Sequence, residues 1–276
     1  MASEFSRARA PYPTRAADSM PGVSAPVLAG AEPFSAIGGN EGVLVLHGFT
    51  GSRHSLRGVA EALADSGMAV ELPLLPGHGT AIEDLLPCRW SDWSSAAEEA
   101  FLSLAARCTK VAIVGLSMGG TLTCWLAERH PEAVGIVLVN PFVEPPADDA
   151  RDAIADLYRS GTAIAPGIGS DIAEPGVTEL AYDGTPLAAA LSLFEGVEEV
   201  ALGLADISCP VLLFSSRTDH VVAPSNGDLV VDSVSGPCER IWLERSYHVA
   251  TLDYDRDEIE QQTVVFVGAV MAGAAA

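Results

Sequence analysis

The 276-residue sequence predicts an α/β protein with a mostly parallel central sheet, helices on both faces and a small inserted cap. Short apolar segments alternate with amphipathic ones along most of the chain, which is the pattern of repeated strand-helix-strand units. A stretch of roughly sixty residues then breaks the alternation without ending it. With 49% hydrophobic residues the chain is long enough to bury one large core.

Residues 1–40 are rich in Ala, Pro, Ser and Gly and show neither a strand nor a helix period, so an irregular N-terminal arm is expected, closing on the turn Ile37-Gly38-Gly39-Asn40. The core is expected over residues 41–141 and 206–276. Its strands are Val43 to Leu46, Val70 to Leu74, Val111 to Val114, Gly135 to Val139, Val211 to Phe214 and Arg240 to Leu243. Helices are expected near Ser55 to Ser66, Trp93 to Arg107 and Thr121 to Arg129, with a last one from about Glu258. Residues 142–205 carry the turns Glu144-Pro145-Pro146 and Glu174-Pro175-Gly176, helical pieces at Ala150 to Tyr158 and Pro186 to Phe194, and no strand signal. An ordinary connection between neighbouring strands needs 2 to 6 residues, so this segment reads as an inserted cap.

Fifteen Lys and Arg face 37 Asp and Glu, a net charge of −22 that repels nucleic-acid phosphates and anionic lipid headgroups. The five cysteines are odd in number, far apart and without a C-x-x-C pair, so neither a disulfide framework nor a zinc site is indicated. Prolines at 11, 13, 21 and 26 interrupt any apolar signal segment, and no run of 18 apolar residues occurs. A cytoplasmic protein without stable membrane insertion is expected, its oligomeric state open and a homodimer among the options.

The strand Val111 to Val114 runs straight into Gly115-Leu116-Ser117-Met118-Gly119-Gly120 and then into a helical stretch. A serine at such a turn presents its hydroxyl at the edge of the sheet, while the flanking glycines let backbone pass close by. The helix behind it aims N–H groups and a positive dipole end at developing negative charge. Ser117 is therefore the candidate nucleophile, in a turn that resembles the nucleophile elbow of α/β-hydrolases.

A serine hydroxyl needs a base, and in that fold the order along the chain is Ser, then Asp or Glu, then His, each after a strand. His47, His54 and His78 precede Ser117, His130 ends the helix after it, and His220 adjoins a strand end. His248, in Ser246-Tyr247-His248-Val249 after the last strand, is the candidate base. Asp219, just past Val211 to Phe214, is the candidate carboxylate that orients it. Asp206, Asp228 and Asp232 sit in the wrong segments, and Asp253, Asp255 and Asp257 follow the histidine.

The oxyanion donors are expected to be the backbone N–H groups of Met118, next to the nucleophile, and Phe49, in His47-Gly48-Phe49-Thr50-Gly51. His47 reads as a histidine bracing that loop. Pro76-Gly77-His78-Gly79-Thr80 looks like a phosphate loop but lacks the lysine, and reads as a turn with a hydrogen-bonded histidine. Trp90 and Trp93 read as core contacts rather than a ligand platform. No metal or cofactor is called for.

These motifs, with the Ser-Arg-Thr-Asp-His-Val-Val run ending at Val222 and Ser246 to Asp253, resemble the bacterial monoacylglycerol lipases and related thermostable carboxylesterases of bacilli. The resemblance covers residue 41 to the C-terminus and implies the α/β-hydrolase fold, a mobile cap over a tunnel, an apolar site for an acyl chain and a short polar end for glycerol. It makes Ile168 and Glu179, in the cap segment from Ile168 to Tyr182, candidates for substrate contact. Glu179 would accept hydrogen bonds from glycerol hydroxyls; the alternative is a solvent-facing helix charge. The expected activity is hydrolysis of monoacylglycerols through an acyl-enzyme at Ser117. A general short-chain carboxylesterase and a non-catalytic ligand receptor on the same fold stand as the alternatives.

Overall fold

The computed structural model describes residues 25–32 and 34–273. In chain order its elements are β1 (Phe34–Ala36), β2 (Glu41–Leu46), α1 (Arg57–Asp65), β3 (Ala69–Leu72), α2 (Ile82–Leu85), α3 (Trp90–Ala105), β4 (Lys110–Leu116), α4 (Met118–Arg129) and β5 (Ile136–Val139). There follow α5 (Asp148–Arg159), β6 (Ile164–Pro166), β7 (Gly184–Pro186), α6 (Leu187–Gly203), β8 (Val211–Ser216), α7 (Ser225–Ser233), β9 (Cys238–Leu243) and α8 (Arg256–Met271).

Seven strands form one sheet in the order β1-β3-β2-β4-β5-β8-β9, parallel except for β1. Neighbouring residues on each inner strand face opposite layers. Leu44, Leu46 and Ile113 join the core against α3, α4 and α6, whereas Val43, Val45, Ala112 and Val114 join the core against α1 and α8. Both faces are covered, which is why these strands read as continuous apolar runs rather than alternating ones.

Register places the site. Leu46 pairs with Gly115, Leu116 with Val139, Val139 with Phe214 and Ser216 with Leu243, so the strands end in one row. The residues that follow those ends (His47, Ser117, Asn140, Asp219 and His248) are delivered to the same edge, the carboxyl edge where ligands bind in open α/β sheets.

Three expectations change. Residues 34–36, assigned to the irregular arm, pair antiparallel with β3, Phe34 opposite Leu72 and Ala36 opposite Val70. Residues 1–24, the rest of that arm's N-terminal part, lie outside the described residues. The inserted segment does hold strands, the hairpin β6-β7 with Ile164 opposite Pro186 and Pro166 opposite Gly184; three-residue strands bearing prolines at their ends show no period. Finally, α6 falls inside the predicted cap but packs in the core, where Ala189, Leu193, Val197 and Val200 are buried with the α3 and α4 side chains. Phe142, Val143 and Tyr182 of the preceding segment pack on the same core, and α6 is the crossover helix between β5 and β8.

Candidate active site

Ser117 joins β4 to α4 with φ 56° and ψ −118°, a conformation strained for a residue with a Cβ. Its surroundings hold it there. The Ser117 N–H donates to the Val139 carbonyl at 3.1 Å, and its own carbonyl accepts from Thr121 N at 3.1 Å and Phe142 N at 3.3 Å. A Cβ on Gly115 would overlap the Gly119 carbonyl, and one on Gly119 the Leu46 carbonyl. The helix therefore starts at Met118, three residues before the glycines let the sequence suggest, because the turn is fixed by tertiary contact and not by helix propensity.

The loop after β2 passes beside this hydroxyl, since a Cβ on Gly48 would lie 3.5 Å from Ser117 Cβ and 4.0 Å from Oγ. His47 sets the loop's geometry. The Leu75 N–H donates to His47 Nε2 at 3.2 Å, which leaves the ring proton on Nδ1 to donate to the Gly48 carbonyl at 3.0 Å. Across a trans peptide the C=O and the next N–H point oppositely, so anchoring Gly48 O turns the Phe49 N–H the other way. Burial, aided by His78 nearby, holds the His47 pKa well below its ordinary value, and the ring stays neutral. Among the described residues neither Phe49 N–H nor Met118 N–H has an acceptor, the latter as the first residue of a helix.

His78 is the hydrogen-bonded turn histidine foreseen, with Nδ1 on the Pro76 carbonyl at 3.0 Å, and it is also buried, which pushes its pKa down to about 4. It packs edge-on against His47, Phe49 and Trp93 at centroid distances of 5.0, 6.2 and 6.0 Å. Trp93 is fully buried and donates to Pro76 O at 3.0 Å, and Trp90 donates to Glu199 at 3.3 Å, so both are structural.

His248 and Asp219 meet. His248 Nδ1 donates to Asp219 Oδ2 at 2.8 Å, with side chains 8% and 1% exposed. Asp219 Oδ1 accepts from the N–H groups of Val221 and Val222 at 2.9 and 2.8 Å. Two residues that the sequence did not single out brace this pair. Asn140, at φ 43°, donates from Nδ2 to the His248 carbonyl at 2.8 Å and to Ser216 Oγ at 2.9 Å, and accepts from Ser216 N at 2.8 Å. Asp171 accepts from the His248 N–H at 3.1 Å.

Of the two cap candidates, the structure brings one to the site. Glu179 lies in a non-helical segment with its carboxyl against Gly51, where a Cβ would be 2.5 Å from Oε1, and it interacts with Ser55 and His248. Burial pushes its pKa up to about 6, against the opposing pull of His248 and Ser55. Ile168 is 69% exposed. Among the described residues no cluster of three or more His, Cys, Asp or Glu has metal-site geometry, and no helix is long and apolar enough to cross a membrane.

A family described as alpha/beta hydrolase fold matches residues 42–167. A thermostable monoacylglycerol lipase of Bacillus sp. (strain H-257) is 45% identical over 245 residues, 87% of this chain and 96% of that protein. The chain belongs to the α/β-hydrolase family. It is a serine ester hydrolase of the lipase and esterase kind. A carboxylesterase of Bacillus subtilis (strain 168) is 26% identical over 86% of this hydrolase and 96% of that protein. A solved structure from work on LipS and LipT, two metagenome-derived lipolytic enzymes, superimposes with TM-score 0.84 at 42% identity, over 88% of the hydrolase and 99% of that chain. The monoacylglycerol lipase of Paleococcus ferrophilus shares the fold, with TM-score 0.71 at 18% identity over 87% and 99% of the two chains.

Proposed function

We propose that this hydrolase cleaves monoacylglycerols to fatty acid and glycerol, with Ser117, His248 and Asp219 as its catalytic triad. Ser117 Oγ attacks the ester carbonyl while His248 Nε2 takes its proton, and Asp219 holds the imidazole in the tautomer that leaves Nε2 free. The Phe49 and Met118 N–H groups receive the oxyanion. His248 then returns the proton to the departing glycerol oxygen, and an acyl-enzyme remains. Water, activated by the same imidazole, releases the fatty acid. No metal or cofactor enters these steps. The segment 142–186 serves as the cap over the site.

One observation carries the choice of substrate: the Glu179 carboxyl beside His248 and Gly51. Burying a carboxylate is unfavourable unless it meets donors, and the one hydroxyl beside it, that of Ser55, is placed to donate to the Ser52 carbonyl. A glycerol leaving group brings two further hydroxyls, whereas a simple alkyl alcohol brings none. The monoacylglycerol lipase relative agrees with this reading. The carboxylesterase relative keeps a general short-chain esterase as the second reading.

Hydrolysis rates across monoacylglycerols, diacylglycerols and simple esters test the proposal, with Ser117→Ala as control. Preference for monoacylglycerols over methyl esters of the same acyl chain supports it. A maximum at short acyl esters with no turnover of monoacylglycerols would favour the general esterase. Retention of activity in Ser117→Ala would overturn the triad itself.

A further inference from the structure

Two carboxylates outside the proposed triad tie the cap to the loop that carries its base. Asp171, from the cap, accepts with Oδ2 from the backbone N–H groups of His248 and His220, each at 3.1 Å. Its Oδ1 meets His220 Nδ1 at 2.7 Å, and its own carbonyl accepts from Val249 N at 3.1 Å. Asp253, fully buried in the base loop, reaches the other way. It accepts from the cap N–H groups of Ala173 and Glu174 at 2.7 and 3.0 Å, and from Tyr247 and Tyr254 N–H at 2.9 and 2.8 Å. Arg256 and Glu174 pair beside them.

Each carboxylate therefore serves the other's segment. Asp171 also grips the residues next to both members of the Asp219-His248 pair: His220 follows Asp219, and the His248 N–H belongs to the base itself. A single oxygen bonded to both backbones fixes their separation independently of the imidazole-carboxylate bond. Hydrogen bonds to an ionised acceptor are the stronger kind, and buried donors left without one are destabilised by their lost solvation.

We propose that Asp171 is a positioning residue for His248, and that with Asp253 it makes residues 171–174 of the cap a fixed part of the base loop. This rests on the triad reading above. The cap then has an anchored stretch at 171–174, and any opening is confined to the segments on either side of it. It also follows that the cap contributes to the chemical step, not only to selection of the acyl chain.

The test compares wild type, Asp171→Ala, Asp171→Asn and Ser117→Ala on p-nitrophenyl acetate, a soluble ester too short to depend on the cap for binding. For Asp171→Ala, kcat should fall on the order of 10- to 100-fold with KM within about twofold, and the rate of covalent labelling by a fluorophosphonate should fall in parallel. Asp171→Asn keeps one oxygen for the two N–H donors and should recover most of that loss. Melting curves check that each variant is folded, and if the Ala variant is not, Asp171→Ser, whose single short hydroxyl cannot reach both N–H donors, takes its place with the same expected loss and the same overturning result. An unchanged kcat and labelling rate in folded Asp171→Ala, or a change in KM alone, overturns the proposal. Full activity in Ser117→Ala instead removes the triad reading on which it rests, so the two failures are distinct.

Discussion

The Asp219 carboxylate divides its oxygens, Oδ2 accepting from His248 Nδ1 at 2.8 Å and Oδ1 accepting from Val221 and Val222 N–H at 2.9 and 2.8 Å. An asparagine there has one oxygen, and the two backbone donors would claim it. The amide NH2 would then face Nδ1, which must become an acceptor and send the ring proton to Nε2. A histidine protonated at Nε2 cannot take the serine proton. On the proposed mechanism Asp219→Asn should therefore lower kcat by roughly 10⁴ while the melting temperature moves by only a few degrees. Steady-state kinetics with a calorimetric scan on the same sample check both halves.

Glu179 should show a conflict between stability and function. Its pKa is raised from 4.5 to about 6 by burial, so keeping it ionised at pH 8 opposes folding by about 2 kcal/mol. Glu179→Gln removes that charge without changing shape, and should raise the melting temperature at pH 8 by a few degrees. The same change should lower kcat/KM for a monoacylglycerol about tenfold relative to the methyl ester of the same acid, since Gln is the weaker acceptor for glycerol hydroxyls. An equal loss on both esters would assign the carboxylate to the electrostatics of His248 and not to the alcohol site.

What the sequence reveals here follows the range of the interactions. Ser117, Asp219 and His248 are legible because each follows a strand whose apolar run is itself legible, and register brings those strand ends into one row. The role of His47 is legible from its loop. Asn140, Asp171 and Asp253 are not, because their partners lie 108, 77 and 80 residues away and no local pattern joins them. The helical character of α6 is evident in Leu187 to Phe194, but periodicity does not say which layer a helix joins, so the sequence alone assigns it to the cap. β1, β6 and β7 are too short to carry a period at all.

Two glycines separate a close approach from open space. A Cβ at Gly119 overlaps the backbone carbonyl of Leu46, which the sheet holds in place, whereas one at Gly268 in α8 has nothing within 4 Å. Gly119→Ala should destabilise the fold by about 3 kcal/mol and disturb the Ser117 turn. Gly268→Ala should stabilise it by about 0.5 to 1 kcal/mol through helix propensity alone, with activity unchanged. Urea unfolding of the two variants reads the opposite signs directly.

The two buried histidines weaken the fold in acid. His78 titrates near 6.5 in the unfolded chain and at about 4 in the folded one, and His47 is likewise held well below its ordinary value, each chiefly by burial. Between those values the unfolded chain binds protons that the folded one excludes, so stability is full above pH 6.5 and declines as pH falls toward 4. His78 alone accounts for about 3 kcal/mol over that span. Glu179 acts in the opposite sense: its pKa is raised, so between pH 6 and 4.5 the folded state is the one that gains a proton, and stability is recovered as pH falls. Glu128, held up to about 7 by burial, offsets the histidines over much of the same span, so urea unfolding from pH 7 to 4 should give a shallow decline that the Glu179 offset reduces further below pH 6. In Glu179→Gln that offset is gone, and the decline between pH 6 and 4.5 should be steeper than in wild type by about 2 kcal/mol over the window. Parallel curves for the two proteins would mean that the Glu179 carboxyl is not buried in the way its contacts with Gly51 and Ser55 indicate.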